Sequence, residues 1–380
     1  MFEVGAELKK RVGATNVFDY TLGNPSFEPP SRLIINLHNL LLNPAEGMHG
    51  YMNNAGFPHV RNSIADFLNK KHALEVQLSS ENIVMTCGAA GGLNVVFESI
   101  LNTGEEVVVP SPYFVEYAFY VDRHQGKLVP VPSKTDFQLD LDIMSAAIGE
   151  KTKAVLLNSP HNPTGVIYFE ESLRKLAGII REKEQELGRD ILLITDEPYS
   201  GLVFDGAELP STLSIFPHSI LATSNSKDLG LAGERIGYLA INPLNTDPAE
   251  IFNAIVFNNR ILGFVNAPAL MQRLVAEAQG EVVGMGEYLG RRDILYKGLS
   301  DLGYDVIKPQ GTFYMFPKSP DTDDVEFTRK ALEYNLLIVP GTGFGAPGYF
   351  RLSFSSISQE QIQKSMEAFR SLAVQYGIIK

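Results

Sequence analysis

Ile220-Leu221-Ala222-Thr223-Ser224-Asn225-Ser226-Lys227-Asp228-Leu229-Gly230 begins as an uncharged apolar run and ends in a small polar turn that carries a lysine. The run reads as a strand, and the lysine falls just past its end. The same grammar recurs upstream. Ile191-Leu192-Leu193-Ile194 runs into Asp196, Ala154-Val155-Leu156-Leu157 ends at Ser159-Pro160, and Glu106-Val107-Val108-Val109 is stopped by Pro110. Ile83-Val84-Met85-Thr86 precedes Gly88-Ala89-Ala90-Gly91-Gly92, which opens a helix. Strands apolar on both faces argue for a parallel sheet covered by helices.

Between these strands lie amphipathic segments. In 170–187, Leu173, Leu176, Ala177, Ile180 and Leu187 share one stripe with charges opposite. Alternating strands and helices give an α/β fold with an open, mainly parallel sheet. The stretch 268–300 reads as one long helix, with Leu270, Leu274, Val275, Val282 and Val283 on its apolar positions. Beyond it, Gly311–Phe316 and Phe350–Phe354 read as strands of a smaller α+β domain. The expected organisation is an N-terminal segment (1–45) wrapping onto the small domain, a large domain (46–267), an interdomain helix (268–300) and the small C-terminal domain (301–380).

Composition excludes several classes. A chain of 380 residues, 44% hydrophobic and 20% charged, is that of a globular protein with room for two cores. A net charge of −12 disfavours nucleic-acid binding, which needs concentrated Lys and Arg. The single cysteine, Cys87, forbids an internal disulfide, and the histidines form no metal spacing. The first residues carry no signal-peptide pattern, and no apolar run approaches the roughly 20 residues of a membrane helix. The expected compartment is the cytoplasm.

In open α/β sheets ligands bind beyond the carboxyl ends of the strands. Gly88–Gly92, Asn158–Gly165, Asp196–Tyr199 and Ser224–Lys227 all fall there. Lys227 can form a Schiff base with an aldehyde, although a lysine taken alone is more often a surface residue. Ser224, Ser226 and Arg235 can hold a phosphate, and the backbone at Ala89 and Ala90 offers free N–H groups at a helix start. That glycine-rich turn matches neither the P-loop nor the dinucleotide spacing. Asp196, emerging from a buried strand, needs a cationic partner such as a protonated ring nitrogen. Tyr199 and Asn162 can reach a ring oxygen, and Tyr113 is placed to stack on a planar ring. Arg351 among apolar neighbours suits a substrate carboxylate, with a structural ion pair as the alternative. Tyr51, in a glycine-rich context, can reach a phosphate, in its own or a neighbouring subunit.

Together these motifs resemble the fold-type I pyridoxal-phosphate aminotransferases of the aspartate aminotransferase superfamily (class I/II), from about Gly23 to Ser355. Ser224-Asn225-Ser226-Lys227 with Arg235 is similar to the cofactor-lysine motif. Asn158–Gly165 is similar to the asparagine loop, Asp196-Glu197-Pro198-Tyr199 to the pyridine-binding strand end, and Gly341–Phe344 leading to Arg351 to the carboxylate-binding segment. The resemblance implies pyridoxal 5′-phosphate bound covalently by Lys227. It implies Asp196 on the ring nitrogen, Asn162 and Tyr199 on the ring oxygen, and Tyr113 on the ring face. Ala89, Ala90, Ser224, Ser226 and Arg235 would hold the phosphate, joined by Tyr51 of a second subunit in a homodimer. Gly23, Asn162 and Arg351 would hold the substrate α-carboxylate. One departure stands out: the turn Gly88–Gly92 lacks the polar side chain that the family often carries there, which leaves mostly backbone groups for the phosphate.

The implied activity is transfer of an amino group from an L-amino acid to a 2-oxo acid such as 2-oxoglutarate. A carbon–sulfur β-lyase would use the same residues, and a non-catalytic effector-binding protein on this fold is a further alternative. The family's effector-binding fusions carry a separate DNA-binding region, for which this chain has no room before residue 23. Arg123, Arg260 and Arg273 are the candidate partners for a substrate side-chain carboxylate.

Overall fold

The computed structural model describes residues 2–44 and 46–379. Its strands, in chain order, are β1 (Phe18–Asp19), β2 (Ile83–Thr86), β3 (Glu106–Ser111), β4 (Lys127–Pro132), β5 (Thr152–Asn158) and β6 (Leu192–Asp196). They continue with β7 (Ser219–Ser224), β8 (Gly237–Ile241), β9 (Tyr314–Met315), β10 (Leu336–Leu337), β11 (Val339–Pro340) and β12 (Phe350–Ser353).

Seven strands form one sheet in the order β2-β8-β7-β6-β5-β3-β4, with β8 antiparallel to both its neighbours and the other pairs parallel. Side chains alternate between two buried faces, as the strand period requires. Val108, Val155, Leu157 and Leu193 pack beneath Leu173, Leu176 and Ile180 of the helix Glu170–Leu187. Val107, Val109, Ala154, Leu156, Ile194 and Ile220 pack against Leu93, Val96 and Phe97 of the helix Gly88–Ile100. Each Val, Leu or Ile fully buried in this way contributes about 1.5–3 kcal/mol before conformational entropy is set against it.

Two strands of this seven-stranded sheet are additions to the sequence reading. β4 lies at the sheet edge, where Val131 is its one buried residue. β8 is reached by a sharp reversal at Arg235, whose φ is +53°. Gly237 then pairs with both Thr86 and Ser224. A Cβ there would lie 2.4 Å from the Thr223 carbonyl oxygen, so only glycine lets the three segments meet. β3 does not stop at Pro110: β5 pairs with β3 only as far as Val108, so the missing N–H removes no ladder bond on that side.

The smaller sheet, β11-β12-β9, is antiparallel. Its core joins Phe313, Phe350, Leu352 and Phe354 to Leu295 and Leu299 of the helix Met285–Asp301 and to Phe369 and Leu372 of the helix Gln359–Gln375. Ser358 and Gln361 form a capping box at the start of the latter helix.

Three expectations need correction. The stretch 268–300 is two helices, Ala269–Val275 and Met285–Asp301. Gly280 and Gly284 take left-handed φ values of +86° and +70°, and the Val283 N–H donates to the Asp228 carbonyl instead of a helical one. Of Gly311–Phe316 only Tyr314 and Met315 form a strand. Residues before 45 carry the helices Phe2–Val12 and Ser31–Leu42, and only part of this region meets the small sheet's surroundings. β1 pairs with β10, and Leu8 and Val17 pack on Leu337. Leu33, however, is buried with Val60, Ile64 and Leu274, because the apolar side of its helix faces the large sheet's outer helices.

Candidate active site

A cavity of about 320 Å³ opens at the carboxyl ends of β5, β6 and β7. Its floor and walls include Ala89, Ala90, Asn162, Asp196, Tyr199, Ser224, Ser226, Lys227, Arg235 and Arg351, with Gly23 at one side. Segments far apart in the chain thus converge on one space, as the strand-end argument requires.

The turn after β7 carries Lys227, whose Nζ donates to the Gly23 carbonyl at 2.8 Å and lies 5.6 Å from the Phe313 ring centre. Burial, then the charges of Arg235 and Arg351, bring its pKa down to about 8. An amine so shifted is neutral in roughly a tenth of molecules at pH 7, far more than an ordinary lysine.

Asp196 ends β6 opposite Asn158 on β5. The Asn158 side chain clamps both chains: its Nδ2 donates to the Asp196 carbonyl at 2.6 Å, and its Oδ1 accepts from the Asn162 N–H at 2.7 Å. Asp196 Oδ2 accepts from the Tyr117 hydroxyl at 2.7 Å, while Oδ1 is buried with no partner. Burial raises this carboxyl to about 7, against the lowering by Tyr117. A buried carboxylate that stays charged needs a cationic donor at that free oxygen.

The helix Gly88–Ile100 begins at the cavity. Arg235 crosses its first residue so closely that a Cβ on Gly88 would meet Nη2 at 2.5 Å. Ser224 and Ser226 share a hydroxyl hydrogen bond of 3.1 Å beside it. Free helix N–H groups, two hydroxyls and a guanidinium suit a phosphate-sized anion.

Arg351 on β12 is buried. It donates to the Thr21 carbonyl at 2.8 Å and to Asn162 Oδ1 at 3.3 Å, and its Nε has no partner. Its guanidinium is flanked by Tyr314 and Phe344, at 4.5 and 4.7 Å from the ring centres. No carboxylate pairs with it among the described residues. The Tyr199 hydroxyl donates to the Tyr314 hydroxyl at 3.2 Å.

One expected residue, Tyr113, lies elsewhere. Tyr113 does not line the cavity; its ring packs at Gly345, and the next residue, Phe114, lines the cavity instead. The backbone bond from the Tyr113 N–H to the Phe344 carbonyl fixes which ring turns inward. Tyr51, expected at the site of a neighbouring subunit, is 93% exposed and outside the cavity of its own chain. Arg123, Arg260 and Arg273 do not line it either; Arg273 lies over the Phe57 ring. The sequence reading missed Glu116, Tyr117 and Tyr120, although 114, 117 and 120 repeat at helical spacing after a strand-end Pro. It also missed Tyr314. Among the described residues one group, Glu184, Asp190 and His218, brings three possible metal-ligand atoms together, away from the cavity. Its His218 Nδ1 is already hydrogen-bonded to Glu184 at 2.7 Å.

A partly neutral amine beside an anion-binding floor, with an unpaired buried arginine facing it, belongs to an enzyme that exchanges amines and carbonyls on a small carboxylic acid. The family model for aminotransferase class I and II matches residues 15–369, and the chain belongs to that family, whose enzymes depend on pyridoxal phosphate. An amino transferase of known structure from Eubacterium rectale is 37% identical, with a TM-score of 0.96 over 99% of this chain and 94% of that one. A probable aspartate aminotransferase of Methanocaldococcus jannaschii is 32% identical over 92% of each chain. A probable aspartate/prephenate aminotransferase of Thermus aquaticus is 33% identical over 95% of this chain and 93% of the relative. No helix among the described residues is long and apolar enough to cross a membrane.

Proposed function

We propose that this chain moves the amino group of an L-amino acid to a 2-oxo acid, with pyridoxal 5′-phosphate held at Lys227 and 2-oxoglutarate the acceptor to supply first. One observation carries the reading: a single cavity holds an amine with a lowered pKa, a buried carboxylate oxygen without a partner, and a buried arginine without a carboxylate. These residues fit the cofactor. Asp196 would hold a protonated ring nitrogen at its free Oδ1. Tyr199 and Asn162 would hold the ring oxygen, and Phe114 would cover a ring face in place of Tyr113. Ser224, Ser226, Arg235 and the N–H groups at Ala89 and Ala90 would hold the phosphate.

When bound, the cofactor supplies an aldehyde carbon that exchanges amines and a ring that accepts electrons from the substrate's Cα. The chain's own work is positional and acid–base. Arg351 grips the α-carboxylate with a planar fork, helped by Asn162 and the backbone at Gly23, and so fixes the direction of the Cα–H bond. Lys227 Nζ takes that proton as a neutral amine and returns it as an ammonium. Burial of Asp196 keeps its attraction for a cation strong.

We further propose a homodimer in which the exposed Tyr51 serves the phosphate of the second copy, located in the cytoplasm, with no nucleic-acid partner. The single cysteine and the acidic balance are consistent with that setting. The names of the two relatives suggest aspartate as a donor and prephenate as a second acceptor.

The test is to add pyridoxal phosphate to the purified chain, reduce with borohydride and map the adduct. Label at Lys227, with 2-oxo-acid-dependent amino transfer over a donor panel, is the expected result. An unlabelled Lys227 would overturn the assignment. Release of pyruvate and ammonia from cystathionine without transfer would replace it with the β-lyase reading.

A further inference from the structure

Beside the small sheet lies a buried carboxylate that the roles above leave unused. Asp324 opens the helix Asp324–Ala331, whose Phe327 packs on Phe350 of β12 with ring centres 5.0 Å apart. Asp324 is only 2% exposed. A helix start alone would account for an acidic side chain there. That task is already taken: the cap is Asp323, whose carboxylate accepts from the Glu326 N–H at 2.9 Å. Nor do the basic side chains of the helix serve Asp324, since Arg329 pairs with Glu326 and Lys330 with Glu333. Asp324 instead gives all three of its hydrogen bonds to one loop. Its Oδ2 accepts from the Thr342 N–H at 2.7 Å, and its Oδ1 accepts from the Thr342 hydroxyl at 2.7 Å and from the Gly348 N–H at 3.2 Å. Burying a carboxylate is costly, and three donors from one short loop offset that cost.

The loop joins β11 to β12 and is closed on itself. The Gly341 N–H donates to the Tyr349 carbonyl at 2.8 Å and the Ala346 N–H to the Gly341 carbonyl at 3.1 Å. A Cβ on Gly341 would lie 2.4 Å from the Ala346 carbonyl oxygen, so the turn has no slack. A shift at Thr342 is therefore carried to Phe344 two residues on. Phe344 is buried, with its ring centre 4.7 Å from the Arg351 guanidinium and 5.9 Å from the Phe316 ring. Its carbonyl accepts from the Tyr113 N–H at 2.9 Å, the bond that turns Phe114 toward the cavity, and Ser111 at the end of β3 donates to the Gly345 carbonyl at 2.6 Å. The loop is thus held by Asp324 on the small-sheet side and by Ser111 and Tyr113 on the large-sheet side. All of these contacts are made within one chain.

We propose that Asp324 is a positioning residue for the substrate: by fixing the loop 341–348 it keeps the Phe344 ring against Arg351 and so keeps that planar fork aimed at a carboxylate. The inference rests on the functional reading above, in which Arg351 receives the α-carboxylate, and adds the group that aims it. Two aromatic walls, Tyr314 and Phe344, leave the guanidinium little freedom, so little is lost when a carboxylate binds. Without Asp324 one of those walls is loose. The consequence is a weaker grip on donor and acceptor alike, because both present the same carboxylate to Arg351. The proton transfers of Lys227 are left untouched.

The experiment compares wild type with Asp324→Asn, Thr342→Val, Thr342→Ser and Asp323→Ala. Asp324→Asn keeps the shape but sets an NH2 against one of its donors whichever way it turns. Thr342→Val removes a donor from the exposed end of the contact, and Thr342→Ser keeps it. Asp323→Ala removes the cap of the same helix and measures a merely structural loss. Succinate binding to the cofactor-loaded protein is read by calorimetry, beside the melting temperature and the KM and kcat for aspartate with 2-oxoglutarate. Asp324→Asn should weaken succinate about tenfold and raise both KM values by a similar factor, with kcat nearly unchanged. Thr342→Val should weaken succinate several-fold, whereas Thr342→Ser should bind it as wild type does. Asp323→Ala should lower the melting temperature and leave succinate affinity where it was. Equal losses of affinity in Asp324→Asn and Asp323→Ala overturn the proposal, as does a fall in kcat at constant KM. If Asp324→Asn does not fold, Thr342→Val decides, and an unchanged succinate affinity there overturns it. Succinate binding that weakens in Asp324→Asn, in a protein that transfers no amino group from any donor, overturns the transaminase reading and leaves the role of Asp324 standing.

Discussion

Two buried arginines, one on a helix beside the small sheet and one on the small sheet itself, show the difference between a finished contact and an unfinished one. Arg292 lies in the helix Met285–Asp301 and has no exposed side-chain surface. It donates to the Pro309 carbonyl at 3.1 Å, to Asp205 at 2.9 Å and to Asp293 at 2.7 Å, with its guanidinium over the Phe204 ring. Arg351 is buried to a similar degree, yet it makes only one bond to a carbonyl and a long one to an amide, and it keeps an unpartnered Nε. Burial of an arginine is costly either way. Where the chain supplies the anion, the arginine is part of the fold. Where it withholds the anion, the cost is offset only when a ligand arrives.

The contrast gives predictions that separate stability from chemistry. Arg351→Lys should lower kcat/KM for the amino donor about a hundredfold or more, because an ammonium cannot reproduce the two-pronged grip. Its melting temperature should stay close to wild type, and a large loss of stability would mean that Arg351 is structural after all. Arg292→Met should do the reverse and destabilise the fold by about 2–4 kcal/mol in denaturant titrations, at unchanged kcat/KM. The lower end is expected, since Asp205 and Asp293 are half-exposed and regain water.

A third prediction follows from the pKa of Lys227. The observed rate of cofactor attachment should climb as pH rises and level off above about 8, since only the neutral amine attacks. Arg351→Met removes one of the neighbouring positive charges that lower this pKa, so the midpoint should move upward, as stopped-flow absorbance would register. The smallest effect tests the ring inside the cavity. Phe114→Ala should weaken cofactor affinity several-fold, whereas Tyr113→Ala should weaken it less, by fluorescence or absorbance titration of the cofactor.

Much of this arrangement was legible in the sequence because buried parallel strands announce themselves. Ile191–Ile194 and Ile220–Thr223 are apolar on both faces, and the polar residues that follow must stand at the strand ends. Asp196, Ser224, Ser226 and Lys227 were placed by that logic alone. It fails where local pattern does not decide orientation. Tyr113 and Phe114 are adjacent and both aromatic, and a backbone hydrogen bond to Phe344, more than two hundred residues away, chooses between them. β8 went unread because its direction depends on the reversal at Arg235 and the close approach at Gly237. The break between Val275 and Met285 was hidden by apolar residues at helical spacing: Val282 packs toward the small-sheet core, and tertiary packing overrode the period.

The segment after β1 touches both of the cations that face the cavity. Thr21 and Gly23 lend their carbonyl oxygens to Arg351 and Lys227, while Leu22 lends its own to Ser355. Two of three consecutive peptide units thus stand where carboxylate oxygens could, and the third moors the stretch beside β12. For Arg351 an arriving carboxylate does not enter against bare charge: it takes the place of one weak, tethered understudy, and the same short stretch of backbone is at hand to take the stage again once the product leaves.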